Sequence, residues 1–136
     1  MKVILVQNLY NQIDLIPWVE GASGSGIGEK IRIEIEPARR RSNSSQSILS
    51  LFISNGFVDY NRPYLYKNNN RLKRIRVYNI GFEEYKEFEL EDHPDIQQFG
   101  FGFKNPSFAI EIEILDIYKG SRWDDTCVNF IIPYVW

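Results

Sequence analysis

From Glu29 to Glu36 the chain alternates, with Ile31, Ile33 and Ile35 on one side and Lys30, Arg32 and Glu34 on the other. Successive side chains of a strand point to opposite faces, so this period of two specifies a half-buried strand of an antiparallel sheet. Strand-like runs recur at 47–54, 73–78, 88–91, 96–103, 108–115 and 128–135, and no amphipathic helix interrupts them. Short strands at regular spacing predict an all-β sandwich or barrel rather than a mixed α/β fold. Residues 1–10 carry Lys2 and a short apolar run but no long apolar core or small-residue cleavage site, so they read as a strand or a lead-in, not an export signal.

The chain has 136 residues, enough for one domain with one real core, and the expected domain runs 1–136. Aromatic residues make up 15%, which suits pleated, half-buried surfaces, and no apolar stretch predicts a membrane span. A formal net charge of -2 supplies no field to attract a nucleic acid backbone. Cys127 is the only cysteine, so there is no internal disulfide and no Cys-rich zinc site; it reads as a buried thiol in a strand.

Between the strands lie three informative loops. Residues 20–28 hold four glycines and two serines, a composition for tight turns. Gly24-Ser25-Gly26-Ile27-Gly28 resembles a phosphate-binding loop only superficially, because a strand rather than a helix follows and no helix N-terminus is there to hold a pyrophosphate. Arg39, Arg40 and Arg41 in the polar stretch 37–46 read as a solvated face, with an anion grip as the alternative. The loop 59–70 is long and carries Tyr60, Tyr64 and Tyr66 among several asparagines, and such loops tend to carry function.

Catalytic groups are scarce. His93 is the only histidine and sits in the turn-like Asp92-His93-Pro94-Asp95, with no local partner for a triad. Asp116, Asp124 and Asp125 could pair with Glu20 or Glu29 for acid–base work, but carboxylates in loops are usually solvated or turn-capping. The expectation is therefore a binding protein, not an enzyme. The richest binding segment is 116–126, where Tyr118, Arg122 and Trp123 stand with acids and bases around Gly120. Aromatic faces flanked by donors and acceptors suit a sugar, whose C–H face stacks while its hydroxyls need partners. Tyr118, Arg122 and Trp123 are thus the expected ligand contacts, with Tyr60, Tyr64 and Tyr66 as the second set.

Six separated motifs fall in a familiar order: Trp18-Val19-Glu20-Gly21, Gly26-Ile27-Gly28-Glu29, Asn55-Gly56-Phe57, Asn70-Arg71-Leu72-Lys73, Leu90-Glu91-Asp92, and Asp116 to Ser121 continuing through Trp123-Asp124-Asp125-Thr126. In this order the chain, over about residues 18–130, resembles the discoidin-like, NADase-type glycan-binding domain, a branch of the galactose-binding-like jelly rolls found in bacterial proteins. The resemblance implies a jelly-roll β-sandwich with first and last strands close together, a carbohydrate-binding role through loops at one end, and no catalytic activity in the domain itself. It implies structural roles for Trp18, Glu20, Glu29, Asn55, Arg71, Asp116, Asp124 and Asp125. The expected partner is a glycan; the alternative is a protein, with the domain docking as an adaptor in a bacterial toxin or envelope assembly. No organic cofactor is expected. A structural calcium stands open on Glu20, Asp14 and Asn129, although an amide such as Asn129 is a poorer ligand for a hard cation than a carboxylate. If the chain is cut from a longer precursor, the resemblance places it outside the cytoplasm; oligomeric state and glycan identity are left open.

Overall fold

The computed structural model describes residues 2–6, 18–19, 25–35 and 46–136. Among the described residues the strands are β1 (Lys2–Val6), β2 (Trp18–Val19), β3 (Lys30–Ile35), β4 (Ile48–Asn55), β5 (Arg71–Asn79), β6 (Glu84–Glu89), β7 (Gln97–Gly100), β8 (Ala109–Tyr118) and β9 (Cys127–Val135), with a short helix, α1 (Leu65–Asn68), before β5. They form a five-stranded sheet in the order β1-β3-β8-β5-β6 and a four-stranded sheet in the order β2-β9-β4-β7. All pairs are antiparallel except β1 with β3. The architecture is the expected all-β sandwich.

The alternation in β3 does what its period requires. Ile31, Ile33 and Ile35 are buried, and Ile33 lies opposite Ile110 of β8 while Ile31 lies opposite Ile112. Ile75 and Val77 of β5 extend this inner face, and Leu51 and Ile53 of β4 with Val128 and Ile131 of β9 close on it from the other sheet. Burying each such aliphatic side chain contributes about 2 kcal/mol. Phe88, Phe99 and Phe101 fill the side where β6 and β7 meet, with ring centroids 5.2 Å apart for Phe88 and Phe99.

Several expectations from the sequence need correction. The strand expected at 88–91 is β6 and runs earlier, because only Phe88 of that strand turns inward while Tyr85, Lys86, Glu87 and Glu89 face solvent and hide the period. The loop 59–70 contains the one-turn helix α1. Tyr118 is not in a turn but ends β8, paired with Arg71. The first strand, β1, joins β3 rather than the last strand; it is β2 that pairs with β9, at Trp18–Val128 and Val19–Cys127. As expected, a strand follows Gly28, whose N–H donates to the Ile114 carbonyl. Asp14, Glu20 and Arg39 to Arg41 lie outside the described residues. Among the described residues no helix is long and apolar enough to cross a membrane.

Candidate functional site

At one end of the sandwich, the ends of β4 and β8 meet the starts of β5 and β9. Asn55 closes β4 there, and its carboxamide pairs with both backbone groups of Leu72 in the other sheet, accepting from the N–H at 2.9 Å and donating to the carbonyl at 2.7 Å. Gly56 then turns the chain with a φ of 83°, which L side chains rarely adopt.

Asn70 is the pin of this end. It is fully buried, and its N–H donates to the Asp125 carbonyl while its own carbonyl accepts from the Cys127 N–H. Its side-chain oxygen accepts from the Gly120 N–H at 2.7 Å, and its side-chain nitrogen donates to the Asp124 carboxylate at 2.9 Å. The loop 119–126 is thereby held on both sides of Trp123. A helix also leaves its last carbonyls without partners inside the helix, and here the loop supplies them. The Ser121 N–H donates to Lys67, and those of Arg122 and Trp123 donate to Asn68. Gly120 must be a glycine, since a Cβ there would lie 2.5 Å from the Asn68 carbonyl oxygen.

Beneath these loops lies a polar cluster. Arg71, its side chain 5% exposed, donates from Nε and Nη2 to the two carboxylate oxygens of Asp92 at 3.1 and 2.9 Å, and from Nη1 to the carbonyls of Lys67 and Asn69. The Tyr66 hydroxyl and the Lys67 ammonium also donate to Asp92. Burial pushes the Asp92 carboxyl up, but the hydrogen bonds from Arg71, Tyr66 and Lys67 outweigh it and bring it down to about 2. Burial, reinforced by Asp92, pushes the Tyr66 hydroxyl well above its ordinary value. The Arg71 guanidinium lies 5.1 Å from the Tyr66 ring centroid and 5.9 Å from that of Tyr118, whose hydroxyl donates to the Leu90 carbonyl.

This geometry divides the expected contacts. Tyr66 is 8% exposed and Tyr118 half-buried, both with engaged hydroxyls, so they brace the loops from below. Trp123 and Arg122 are exposed, with the guanidinium 4.8 Å from the indole ring centroid. Tyr60 and Tyr64 are exposed on the loop leading into α1, and Asp59 shapes that loop by accepting from the N–H groups of Asn61 and Arg62 and from the Arg62 side chain. The structure thus joins the two loops that carry exposed aromatics through α1.

Of the residues given structural roles, Asn55, Arg71 and Asp124 make the contacts described, and Asp116 accepts from the Ile117 N–H next to it. Glu29 bonds through its backbone to Gly26 and Ile114, Asp125 through its carbonyl to Asn70, and Trp18 pairs in β2. The Asn129 amide donates to the Ser54 hydroxyl. Among the described residues no three His, Cys, Asp or Glu side chains gather as metal ligands, and Asp14 and Glu20, the other two calcium candidates, lie outside those residues. His93 pairs with Glu91 two residues earlier, and among the described residues no hydroxyl or thiol is hydrogen-bonded to it. Burial, then Asp125, pushes the Cys127 thiol up to about 11, so it is not a thiolate near neutral pH.

Two features escaped sequence reasoning. Asp92 stands in the Leu90-Glu91-Asp92 motif with no role of its own assigned, because its partner Arg71 lies 21 residues away and no local pattern joins them. A cleft of about 380 Å³ opens at the opposite end, between Ser47–Leu49 and the segment Gly100–Ser107. The Glu84 carboxylate shapes it by accepting from the Lys104 N–H and the Asn105 side chain.

Two packed β-sheets, with loops knitted together at one end by buried polar side chains, define a discoidin-like jelly-roll sandwich. The chain belongs to the family described as NAD glycohydrolase translocation F5/8 type C domain, whose family model matches residues 5–133. No curated protein and no solved structure matches it.

Proposed function

We propose that this domain is a non-catalytic binding module that takes carbohydrate on its knitted loop end, with Trp123 and Arg122 at the centre and Tyr60 and Tyr64 alongside. The observation that carries this reading is the contrast at Trp123: an exposed indole stands on a backbone bolted to α1 and Asn70. A surface aromatic held by so many backbone bonds needs no ordering when a sugar ring stacks on it, which lowers the cost of binding. The family's description as a translocation domain of NAD glycohydrolases supports a role beside a catalytic domain rather than chemistry of its own.

A glycan-array screen of the purified chain, with and without calcium, tests the proposal. Binding is expected in the micromolar to millimolar range, about 4 to 8 kcal/mol, falling at least about tenfold in Trp123→Ala. Trp123 is partly exposed, so the variant should remain folded. Binding that survives Trp123→Ala but is lost in Phe103→Ala would move the site to the opposite cleft. A blank array in all conditions would overturn carbohydrate as the ligand and favour a protein partner.

A further inference from the structure

The short helix α1 does more than join two loops, because its period fixes which way the tyrosines beside it leave the backbone. Tyr64 caps α1 in helical geometry, with φ of -64° and ψ of -19°, and its carbonyl accepts from the Asn68 N–H at 3.2 Å. Residues two apart on a helix project about 200° apart around its axis. The Tyr66 hydroxyl reaches down to Asp92, so Tyr64 leaves α1 on the opposite, outer side, in keeping with its 57% exposure. Residues four apart share a face, which sets Asn68 on the same side as Tyr64.

Asn68 is the residue that the other loop grips. Its carbonyl accepts from the N–H groups of Arg122 and Trp123 at 3.2 and 2.9 Å, and its side-chain oxygen accepts from the Ser121 hydroxyl at 2.9 Å. Trp123 is therefore held at the C-terminal end of α1 and Tyr64 at its start, with about 6 Å of helix between Tyr64 and Asn68. Tyr60, 94% exposed, stands on the turn before, which the Asp59 carboxylate holds through the N–H groups of Asn61 and Arg62.

We infer that the site takes an oligosaccharide chain and not a single terminal sugar, with one residue stacked on Trp123 and a neighbouring residue of the same chain on Tyr64; this rests on the carbohydrate reading of the loop end. One sugar ring is too small to cover both aromatics, and a short run of linked rings spans them. Once the first ring is held, the second binds as an intramolecular event, which raises affinity without any new contact at the first. The gain depends on the frame being rigid, since platforms that had to be ordered on binding would give much of it back. The backbone bonds from Ser121, Arg122 and Trp123 to Lys67 and Asn68 supply that rigidity.

Isothermal titration calorimetry of the purified chain with glucose, galactose, mannose and N-acetylglucosamine, and with the short linear oligomers of each, tests it. In a series that binds, affinity is expected to rise at least about tenfold from the monosaccharide to its trimer or tetramer. Tyr64→Ala should remove that rise and leave the affinity for the monosaccharide unchanged, Tyr64→Phe should keep it, and Trp123→Ala should weaken every member of the series. Tyr85→Ala, at an equally exposed tyrosine on β6, should change nothing. Thermal melts followed by circular dichroism confirm that the variants are folded. A monosaccharide bound as tightly as its oligomers, or a rise that survives Tyr64→Ala, overturns the inference and leaves the carbohydrate reading at Trp123 in place. No binding in any series overturns the two together.

Discussion

Arg71 and Asp92 meet as a fork on a fork, two nearly parallel hydrogen bonds of 3.1 and 2.9 Å between a guanidinium and a carboxylate. The arginine side chain is 5% exposed and the aspartate 26%, so the pair is closed below and open to water on one side. Asp92→Ala would leave a buried guanidinium without its counter-charge and is expected to lower stability by about 3 kcal/mol. Urea unfolding checks this, and an unchanged midpoint would show that the carbonyls of Lys67 and Asn69 suffice for Arg71.

The same pair makes stability depend on acid. The Asp92 carboxyl titrates at about 2 in the fold against 3.8 in a free chain, so the unfolded state takes up its proton first as pH falls. The contribution is complete above about pH 4 and is lost as pH falls through about 2, a change on the order of 2 kcal/mol. Unfolding curves at about pH 6 and about pH 2 should show the protein losing this much more stability than Asp92→Asn does. Equal losses would remove Asp92 as the cause.

Gly120→Ala is expected to detach the loop 119–126 without unfolding the sandwich. The added methyl would strike the backbone at Asn68 and Asn69, which a flexible side chain could yield to but a helix end cannot. A cost of about 2 kcal/mol, concentrated in the loop, should appear as faster hydrogen exchange at Ser121, Arg122 and Trp123 with strand protection retained. Exchange rates like those of the parent chain would show that α1 gives way instead.

Asn55→Ala removes the one side chain that serves both the donor and the acceptor of Leu72. Two buried backbone groups would be left without partners, at a cost of about 2–4 kcal/mol. Asn55→Asp should be as harmful near neutral pH, since a carboxylate cannot donate to the Leu72 carbonyl. Denaturant titration of both variants is the check, and a loss under about 1 kcal/mol in either would mean that water enters to replace the amide.

The architecture was legible wherever burial follows a period. Ile31, Ile33 and Ile35 declared their face because Lys30, Arg32 and Glu34 fill the alternate positions, and β3 is found where the alternation puts it. β6 was only half legible, since one inward residue, Phe88, makes no period. The site was legible as composition but not as orientation. Tyr60, Tyr64, Tyr66, Tyr118 and Trp123 are alike as letters, and what turns Tyr66 and Tyr118 downward is the Asp92 carboxylate and the Leu90 carbonyl, supplied from elsewhere in the chain. Asn70 shows the same limit: its four bonds run to residues about fifty positions away, and nothing near it in the chain announces them.

The clamp at Asn55 has a chemical side as well. Asparagine followed by glycine is a perishable dipeptide, because the glycine nitrogen can attack the side-chain carbonyl, expel ammonia and leave an imide that hydrolyses to aspartate or isoaspartate. In the folded domain both reactants are occupied, the Asn55 amide by Leu72 and the Gly56 nitrogen by the Cys127 carbonyl. Ageing is therefore confined to moments when this end of the sandwich comes apart. Each conversion would set a carboxylate oxygen against the Leu72 carbonyl that the amide had donated to, so the damaged chain would close less firmly. The working lifetime of the domain is tied in this way to how seldom it opens.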